Sequence, residues 1–297
     1  MILLDGKKIA QDIRNELKAE IDILKAHGKG VPGLAAILIG NNPASEIYVN
    51  SKTKDCNEIG MKTVTERKES DISEKELLDL IEIYNHNKDY HGILVQLPLP
   101  KHIDEDRVIE AISPQKDVDG FHPVNVGKLV IGKEAFRSCT PAGIQELLIR
   151  YKIETKGKHF VVLGRSNIVG KPITNIMLQK KEHANSIVTV CHSAIPKNEI
   201  SYYTKQADIL VAAMGTPQFV KADMVKDGVV VVDVGINRIE DKTAPKGYRV
   251  VGDVDFDEVS KKASYITPVP GGVGLMTRAM LLKNTFEAFI KYGHQSP

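Results

Sequence analysis

Three side chains in the first hundred residues could carry out proton transfer. Tyr48 and Lys52 are four residues apart in a segment with helical periodicity, so they share one face of a helix. A lysine beside a phenol and partly withdrawn from water can accept a proton or orient a water molecule. Gln96 ends an apolar run, where ligands of α/β sheets gather. The alternative interpretation is an exposed lysine and an amide that caps backbone groups beside Pro98.

A pair of carboxylates follows in the segment 116–122. Asp117 and Asp119 stand next to Gly120, and they either bond the local amides of an Asp-Gly turn or bind N–H groups of a ligand. Histidine and cysteine are not clustered with them in a metal-binding spacing, so we predict no metal site.

A glycine-rich turn, 161–172, has the residue types of a phosphate-binding site. Gly164 and Gly170 follow an apolar strand and open a helix, where free backbone N–H groups can stabilise a pyrophosphate. The spacing differs from G-x-G-x-x-G, so the glycines alone are weak evidence. Arg165 and Ser166 suit the extra ribose phosphate of NADP, and no acidic residue follows the second strand to bind a free ribose. The alternative makes Arg165 a solvated turn residue.

Further candidates lie after the later strands of this half. We assign Gly215 and Ile236 to cofactor binding. The loop 267–274 combines prolines with three glycines, which favours a fixed shape with backbone open to close approach, and we assign Pro268 and Gly272 to substrate binding.

The elements that must position these residues alternate between helix and strand, which predicts an α/β protein of two domains with parallel sheets. The second half is predicted to be a Rossmann-like NADP-binding domain. A turn-rich passage over 113–125, and then a helix that opens at Thr140, indicate the boundary, and the last helix has no strand after it. We therefore predict a catalytic domain of 1–138 and 274–297 and an NADP-binding domain of 139–273. The predicted helices are 9–24, 44–59, 73–84, one from 140 and 275–292, and the predicted strands are 34–40, 62–65, 92–96, 159–163, 186–191, 208–213 and 229–234.

Composition excludes several classes of protein. The 297 residues carry 40 basic and 38 acidic side chains, a net charge of +2, so a nucleic-acid partner is not indicated. The three cysteines are far apart, and no apolar run approaches the length that spans a membrane. A cytoplasmic protein without a membrane partner is the expectation.

Together these segments resemble the bifunctional methylenetetrahydrofolate dehydrogenase/cyclohydrolase family along nearly the whole chain. The resemblance rests on Tyr48 with Lys52 and on the segments 92–100, 116–121, 164–170, 233–237 and 268–274. It implies oxidation of 5,10-methylenetetrahydrofolate with NADP and hydrolysis of the product to 10-formyltetrahydrofolate, in one-carbon metabolism and purine biosynthesis.

The resemblance also implies roles for individual residues. Lys52 would be the central catalytic residue, with Tyr48 and Gln96 in support, and Asp119 would bind the pterin. Arg165, Ser166 and Ser193 would meet the ribose phosphate, and the protein would be a homodimer that pairs through its nucleotide domain.

This chain departs from the family at two positions, where Leu275 and Ser138 replace the usual prolines. Each loss loosens the backbone by ~1 kcal/mol or less. Three other functions remain open: a dehydrogenase without hydrolase activity, another NADP-dependent oxidoreductase, and a non-catalytic NADP sensor. The combination of Tyr48, Lys52 and Gln96 argues against the sensor.

Overall fold

The computed structural model describes residues 1–243 and 247–293, and the chain divides into two compact units. The six-stranded unit comprises Met1–Ala10 and Thr140–Thr277, and the three-stranded unit comprises Gln11–Cys139 and Arg278–Pro297. The last four residues of the predicted catalytic domain lie outside the described residues.

The three-stranded unit is built on one parallel sheet. Its central strand is buried along its whole length, as expected for a continuous apolar run covered on both faces. The order is β3-β2-β4, so the chain crosses from one side of β2 to the other before β4. The strands are β2 (Gly33–Ile39), β3 (Lys62–Lys68) and β4 (Gly92–Val95).

Helices cover this sheet, and their ends follow local capping rules. α2 begins after Asn42, whose side chain accepts hydrogen bonds from the N–H groups of Ala44 and Ser45, and it ends at Gly60 in the left-handed region. Two short helices, α4 and α5, were not predicted, and α5 begins inside the passage 113–125 that was predicted to be turn-rich. The helices are α1 (Gly6–Ala26), α2 (Pro43–Ile59), α3 (Glu74–His86), α4 (Glu105–Ala111), α5 (Pro123–Val130) and, from Arg278, the rest of α10 (Val273–Tyr292).

The six-stranded unit holds a second parallel sheet of order β1-β11-β8-β7-β5-β6 and a separate antiparallel pair, β9 with β10. The strands are β1 (Ile2–Leu3), β5 (His159–Leu163), β6 (Ile187–Cys191), β7 (Ile209–Ala212), β8 (Val230–Asp233), β9 (Asn237–Glu240), β10 (Tyr248–Val251) and β11 (Tyr265–Ile266). The helices are α6 (Cys139–Arg150), α7 (Gly170–Met177), α8 (Lys197–Thr204), α9 (Phe256–Val259) and a 3₁₀ turn at Ala222–Met224.

The strand order of this sheet creates a ligand-binding edge. From β5 the chain runs to β6 on one side and then returns to β7 on the other. The crevice outside the carboxyl ends of β5 and β7 is therefore a topological switch point, where ligands of open α/β sheets bind. The two-domain α/β class with a Rossmann-like second half is confirmed.

Three details differ from the prediction. Residues 1–10 belong to the six-stranded unit, because β1 pairs with β11; strands of two residues carry no periodic signal. The turn-rich passage lies inside the three-stranded unit, where Asp117 forms a parallel bridge to Ile93. The helix expected to open at Thr140 already begins at Cys139, and the hydroxyl of Thr140 hydrogen-bonds that of Thr277 at 2.8 Å.

Candidate active site

The amine of Lys52 and the amide of Gln96 meet in the three-stranded unit. Lys52 lies on α2 and Gln96 directly after β4, at the carboxyl end of the sheet. The lysine Nζ donates to Gln96 Oε1 at 3.2 Å, and Gln96 Nε2 donates to the carbonyl of Leu97 at 2.8 Å. Because the amide nitrogen is committed to the backbone, the amide oxygen faces the lysine. Gln96 therefore fixes the position of the amine.

Tyr48 lies one turn before Lys52 on the same helix, as predicted. Its side chain is 41% exposed, and among the described residues none hydrogen-bonds its hydroxyl. The partner of the lysine is thus the glutamine, and the phenol stays accessible to a ligand.

The two carboxylates of the Asp-x-Asp-Gly segment have different surroundings. Asp117 is buried and accepts four hydrogen bonds of 2.9–3.1 Å, so its carboxylate is consumed by the turn that follows it. The donors are the backbone N–H groups of Gly120, Phe121 and His122 and the side-chain amide of Asn125.

Among the described residues, no backbone N–H donates to the Asp119 carboxylate, and the thiol of Cys139 lies 3.9 Å from its Oδ1. Burial raises the pKa of the Asp119 carboxyl, the Lys52 ammonium opposes that rise, and the charge of Asp117 adds to it. The electrostatic effect of Lys52 places these two groups in one neighbourhood. Lys52, Gln96 and Asp119 are therefore brought together within the three-stranded unit.

The two departures from proline are each replaced by a hydrogen bond that proline cannot make. The hydroxyl of the buried Ser138 donates to the carbonyl of Gly120 at 3.2 Å. The backbone N–H of Leu275 donates to the carbonyl of Gly272 at 3.3 Å. These bonds offset part of the rigidity that a proline ring supplies.

The glycine-rich turn opens a pocket at the switch point of the six-stranded unit. Arg165 and Ser166 follow β5, Ser193 follows β6, and all three line this pocket. No acidic side chain is among its described lining residues, so it suits an anionic ligand and offers no carboxylate to a free ribose. The lining residues are Leu163, Gly164, Arg165, Ser166, Cys191, His192, Ser193, Ile195, Lys197, Ile200, Ala213, Met214, Thr216 and Phe219.

The two glycines of the turn serve close packing. A Cβ on Gly164 would overlap the carbonyl of Ala213, and a Cβ on Gly170 would overlap the carbonyl of Gly164. The first N–H groups of α7 are not free, contrary to the prediction, because Ser166 Oγ accepts from the N–H groups of Val169 and Gly170 at 3.1 and 3.3 Å. The hydroxyl proton of Ser166 remains a donor for a phosphate.

The remaining predicted residues lie in the same unit but outside that lining. Gly215, at φ +68°, separates Met214 from Thr216, both of which line the pocket. Ile236 is 55% exposed directly after β8. Pro268 and Gly272 belong to the loop after β11, and Gly272 is packed so closely that a Cβ there would meet the carbonyl of Pro268 at 2.6 Å.

Sequence reasoning missed a set of buried charges that shape both units. Asp55, one turn after Lys52, is paired with Arg278 at 2.6 and 2.7 Å, although the two are 223 residues apart in sequence. In the six-stranded unit, Asp233 is the last residue of β8, Asp253 follows β10, and both are buried. Burial raises the pKa of Asp233 to about 6, although three backbone N–H donors act to lower it.

The fold and the pocket define a class: a two-domain α/β protein with a dinucleotide-binding site. Among the described residues, none of the helices combines the length and apolarity needed to cross a membrane, and no group of three metal-ligating side chains is present. Two family models match the chain, the catalytic domain of tetrahydrofolate dehydrogenase/cyclohydrolase over residues 4–119 and the NAD(P)-binding domain of the same proteins over residues 138–292.

Individual relatives agree over nearly the full length. "Bifunctional protein FolD" of Chloroherpeton thalassium is 58% identical, covering 97% of this chain and 98% of that protein. The crystal structure of the FolD methylenetetrahydrofolate dehydrogenase/cyclohydrolase from Campylobacter jejuni is 50% identical with a TM-score of 0.91, covering 97% of this chain and 98% of that one. The Trypanosoma brucei FolD, solved with NADP cofactor and inhibitor, is 37% identical with a TM-score of 0.93 and covers 99% of each chain. The chain belongs to the tetrahydrofolate dehydrogenase/cyclohydrolase family.

Proposed function

We infer that the chain is a bifunctional enzyme that oxidises 5,10-methylenetetrahydrofolate to 5,10-methenyltetrahydrofolate with NADP and hydrolyses the product to 10-formyltetrahydrofolate. Both domains of the family are matched, and the full-length relatives are bifunctional FolD proteins. The observation that carries the proposal is the amine of Lys52, held by the amide of Gln96 in the neighbourhood of Asp119.

The oxidation step requires binding and placement more than proton transfer. Loss of hydride from the carbon between two folate nitrogens leaves a cation delocalised over both, so no side chain has to remove a proton. When bound, NADP supplies the hydride acceptor. We propose that Asp119 accepts hydrogen bonds from N–H groups of the pterin, because the turn leaves its carboxylate uncommitted, and that the exposed Tyr48 contacts the folate.

The hydrolysis step requires an activated water molecule that loses a proton as it adds to the methenyl carbon. We propose that Lys52 orients this water and, as the neutral amine with a free lone pair, accepts its proton and becomes the ammonium. Gln96 is a neutral acceptor that occupies one position around the lysine nitrogen and leaves the others for water and substrate. The amide therefore serves as a positioning group for the amine.

The pocket of the six-stranded unit fits NADP by its donor set. We propose that Arg165 binds the ribose phosphate through its guanidinium, with Ser166 and Ser193 as hydroxyl donors. Gly215 and Ile236 would contact the same cofactor.

We further propose that the three-stranded unit binds the folate. Pro268 and Gly272 remain predicted substrate-binding residues. A homodimer is supported by β6, which is an edge strand of the sheet and carries the exposed Ile187, at 63%. The product, 10-formyltetrahydrofolate, suits formyl transfer in purine biosynthesis, and a cytoplasmic location fits three free, buried cysteines.

The test is an absorbance assay with methylenetetrahydrofolate that follows reduced cofactor and methenyltetrahydrofolate together, first with NADP and then with NAD. We expect NADP reduction without lasting accumulation of the methenyl compound. Reduction that needs no folate would indicate another oxidoreductase, and accumulation of the methenyl compound would indicate a dehydrogenase only.

A further inference from the structure

One wall of the proposed cofactor pocket is a tight turn that is held by hydrogen bonds to a residue distant in sequence. The turn Met214-Gly215-Thr216 follows β7, and its two outer residues line the pocket. Gly215 adopts φ +68°, so successive backbone N–H groups point to the same side of the turn. Such an arrangement is normally a binding site for an anion.

Here the anion is a side chain of the protein itself. Asp253 has no exposed surface, and its Oδ2 accepts from the N–H groups of Met214 and Gly215 at 2.6 and 2.9 Å. Its Oδ1 accepts from the N–H of Thr216 and from the side-chain amide of Asn237, both at 2.9 Å. All three N–H groups of the turn are therefore bound by this buried carboxylate.

A second buried carboxylate fixes Asp253 in turn. Asp233 accepts from the N–H groups of Asp253 and Val254, each at 2.9 Å. Two glycines leave room for this arrangement, since a Cβ on Gly235 would overlap the carboxylate of Asp253 and a Cβ on Gly252 would overlap that of Asp233. Chance packing does not explain two carboxylates that each require a glycine beside them.

We propose that Asp253 is a positioning residue for cofactor binding, which holds the Met214–Thr216 turn in the shape that the nucleotide contacts. Because the carboxylate occupies the N–H groups of the turn, this wall offers the cofactor side-chain and carbonyl surface, and anion recognition is left to the Arg165 side of the pocket. The inference rests on the proposed binding of NADP.

Asp253→Asn tests it, because the asparagine keeps the shape but replaces one acceptor oxygen by a donor that faces N–H groups. We expect the KM for NADP to rise at least tenfold with kcat within about threefold, and the Kd for NADP, measured by calorimetry without folate, to rise in parallel. Hydrolysis of supplied methenyltetrahydrofolate should stay within twofold of the parent.

Asp208→Asn is the matched control. Asp208 precedes β7, at the opposite end of the same strand, and its carboxylate also accepts a backbone N–H, that of His159 at 2.8 Å. It does not line the cofactor pocket, so its loss should lower the melting temperature without changing the KM for NADP. Melting temperatures of both variants are measured alongside.

The proposal is overturned if Asp253→Asn binds NADP within twofold of the parent, or if Asp208→Asn weakens binding as much. Should Asp253→Asn not fold, Asn237→Ala removes only one donor to the same carboxylate and is expected to raise the Kd two- to fivefold. An unchanged Kd in that variant would equally overturn the proposal. A parent enzyme that binds no NADP would instead contradict the proposed function.

Discussion

Replacing Asp117 and Asp119 separately distinguishes a structural carboxylate from a ligand-binding one. Asp117→Ala leaves two buried N–H hydrogens without an acceptor, the backbone N–H of His122 and one of the two amide hydrogens of Asn125. The N–H of Gly120 keeps the backbone carbonyl of residue 117, and the other amide hydrogen of Asn125 keeps the carbonyl of Pro114. A buried donor left unpaired costs about 1–3 kcal/mol, so the substitution is expected to lower the free energy of unfolding by about 2–6 kcal/mol. That is a large part of the roughly 5–15 kcal/mol that stabilises a typical protein.

Asp119→Ala removes no backbone acceptor and relieves a carboxyl whose pKa burial raises. The free energy of unfolding of Asp119→Ala should stay within about 1 kcal/mol of the parent, because ordinary substitutions away from buried networks change stability by about that much or less. The KM for methylenetetrahydrofolate should rise at least tenfold, because the proposed acceptor for the pterin is lost.

The assay is urea denaturation followed by far-ultraviolet circular dichroism, with steady-state kinetics on the same preparations. If Asp117→Ala is destabilised by less than about 1 kcal/mol, the four hydrogen bonds do not support the turn as argued. If Asp119→Ala loses as much stability as Asp117→Ala, the separation of their roles is wrong.

Three further substitutions probe charges elsewhere. Arg278→Met leaves the buried carboxylate of Asp55 unpaired, which should lower the free energy of unfolding in urea by about 3–5 kcal/mol. Adding Asp55→Leu removes the unpaired charge and should restore part of this stability. If the double variant is no more stable than Arg278→Met, the unpaired charge is not the cause of the loss. Asp233 has a folded pKa of about 6 against about 3.9 unfolded, so its share of stability, about 3 kcal/mol, is present below pH 4 and lost as the pH rises to 6. Denaturation of Asp233→Asn between pH 4 and 7 should lack that decline, and an identical slope in parent and variant would refute it. Arg165→Ala should lower kcat/KM with NADP about 10- to 150-fold, the loss of ~1.5–3 kcal/mol of charged hydrogen bonding, and change the NAD value little; equal losses with both cofactors would count against a ribose-phosphate contact.

The sheets and main helices were predictable because a strand buried on both faces is a continuous apolar run, and a helix buried on one face repeats its apolar residues at helical spacing. The run that forms β2 is apolar from Leu34 to Ile39, and the prolines after Gln96 end β4 where expected. The sequence also indicated Lys52 and Gln96 as candidate site residues, because the face of a helix and the carboxyl end of a strand can both be recognised from local sequence.

Other parts of the structure depend on pairings that no local pattern records. The strands β1 and β11 have two residues each, and only their pairing places residues 1–10 in the six-stranded unit. Which carboxylate of the pair Asp117 and Asp119 faces the backbone is decided by the path of the turn. The ion pair of Asp55 with Arg278 joins positions 223 residues apart.

The hydrogen bonds of Ser166 and Asp253 in the second half of the chain are likewise set by the fold. Ser166 was predicted to bind a ribose phosphate, and in the structure its oxygen also accepts from the N–H groups of Val169 and Gly170 at the start of α7. The role of Asp253 depends on a turn that precedes it by nearly forty residues.

The central claim is that the Lys52 amine is needed for hydrolysis and not for hydride removal. The most direct measurement follows NADPH and methenyltetrahydrofolate together in Lys52→Met. Lys54→Met is the control, since the side chain of Lys54 is 75% exposed and forms an ion pair with Glu58 one turn later. Lys52→Met should still form NADPH while methenyltetrahydrofolate accumulates, and Lys54→Met should behave as the parent. Hydrolysis at the parental rate in Lys52→Met would contradict the account.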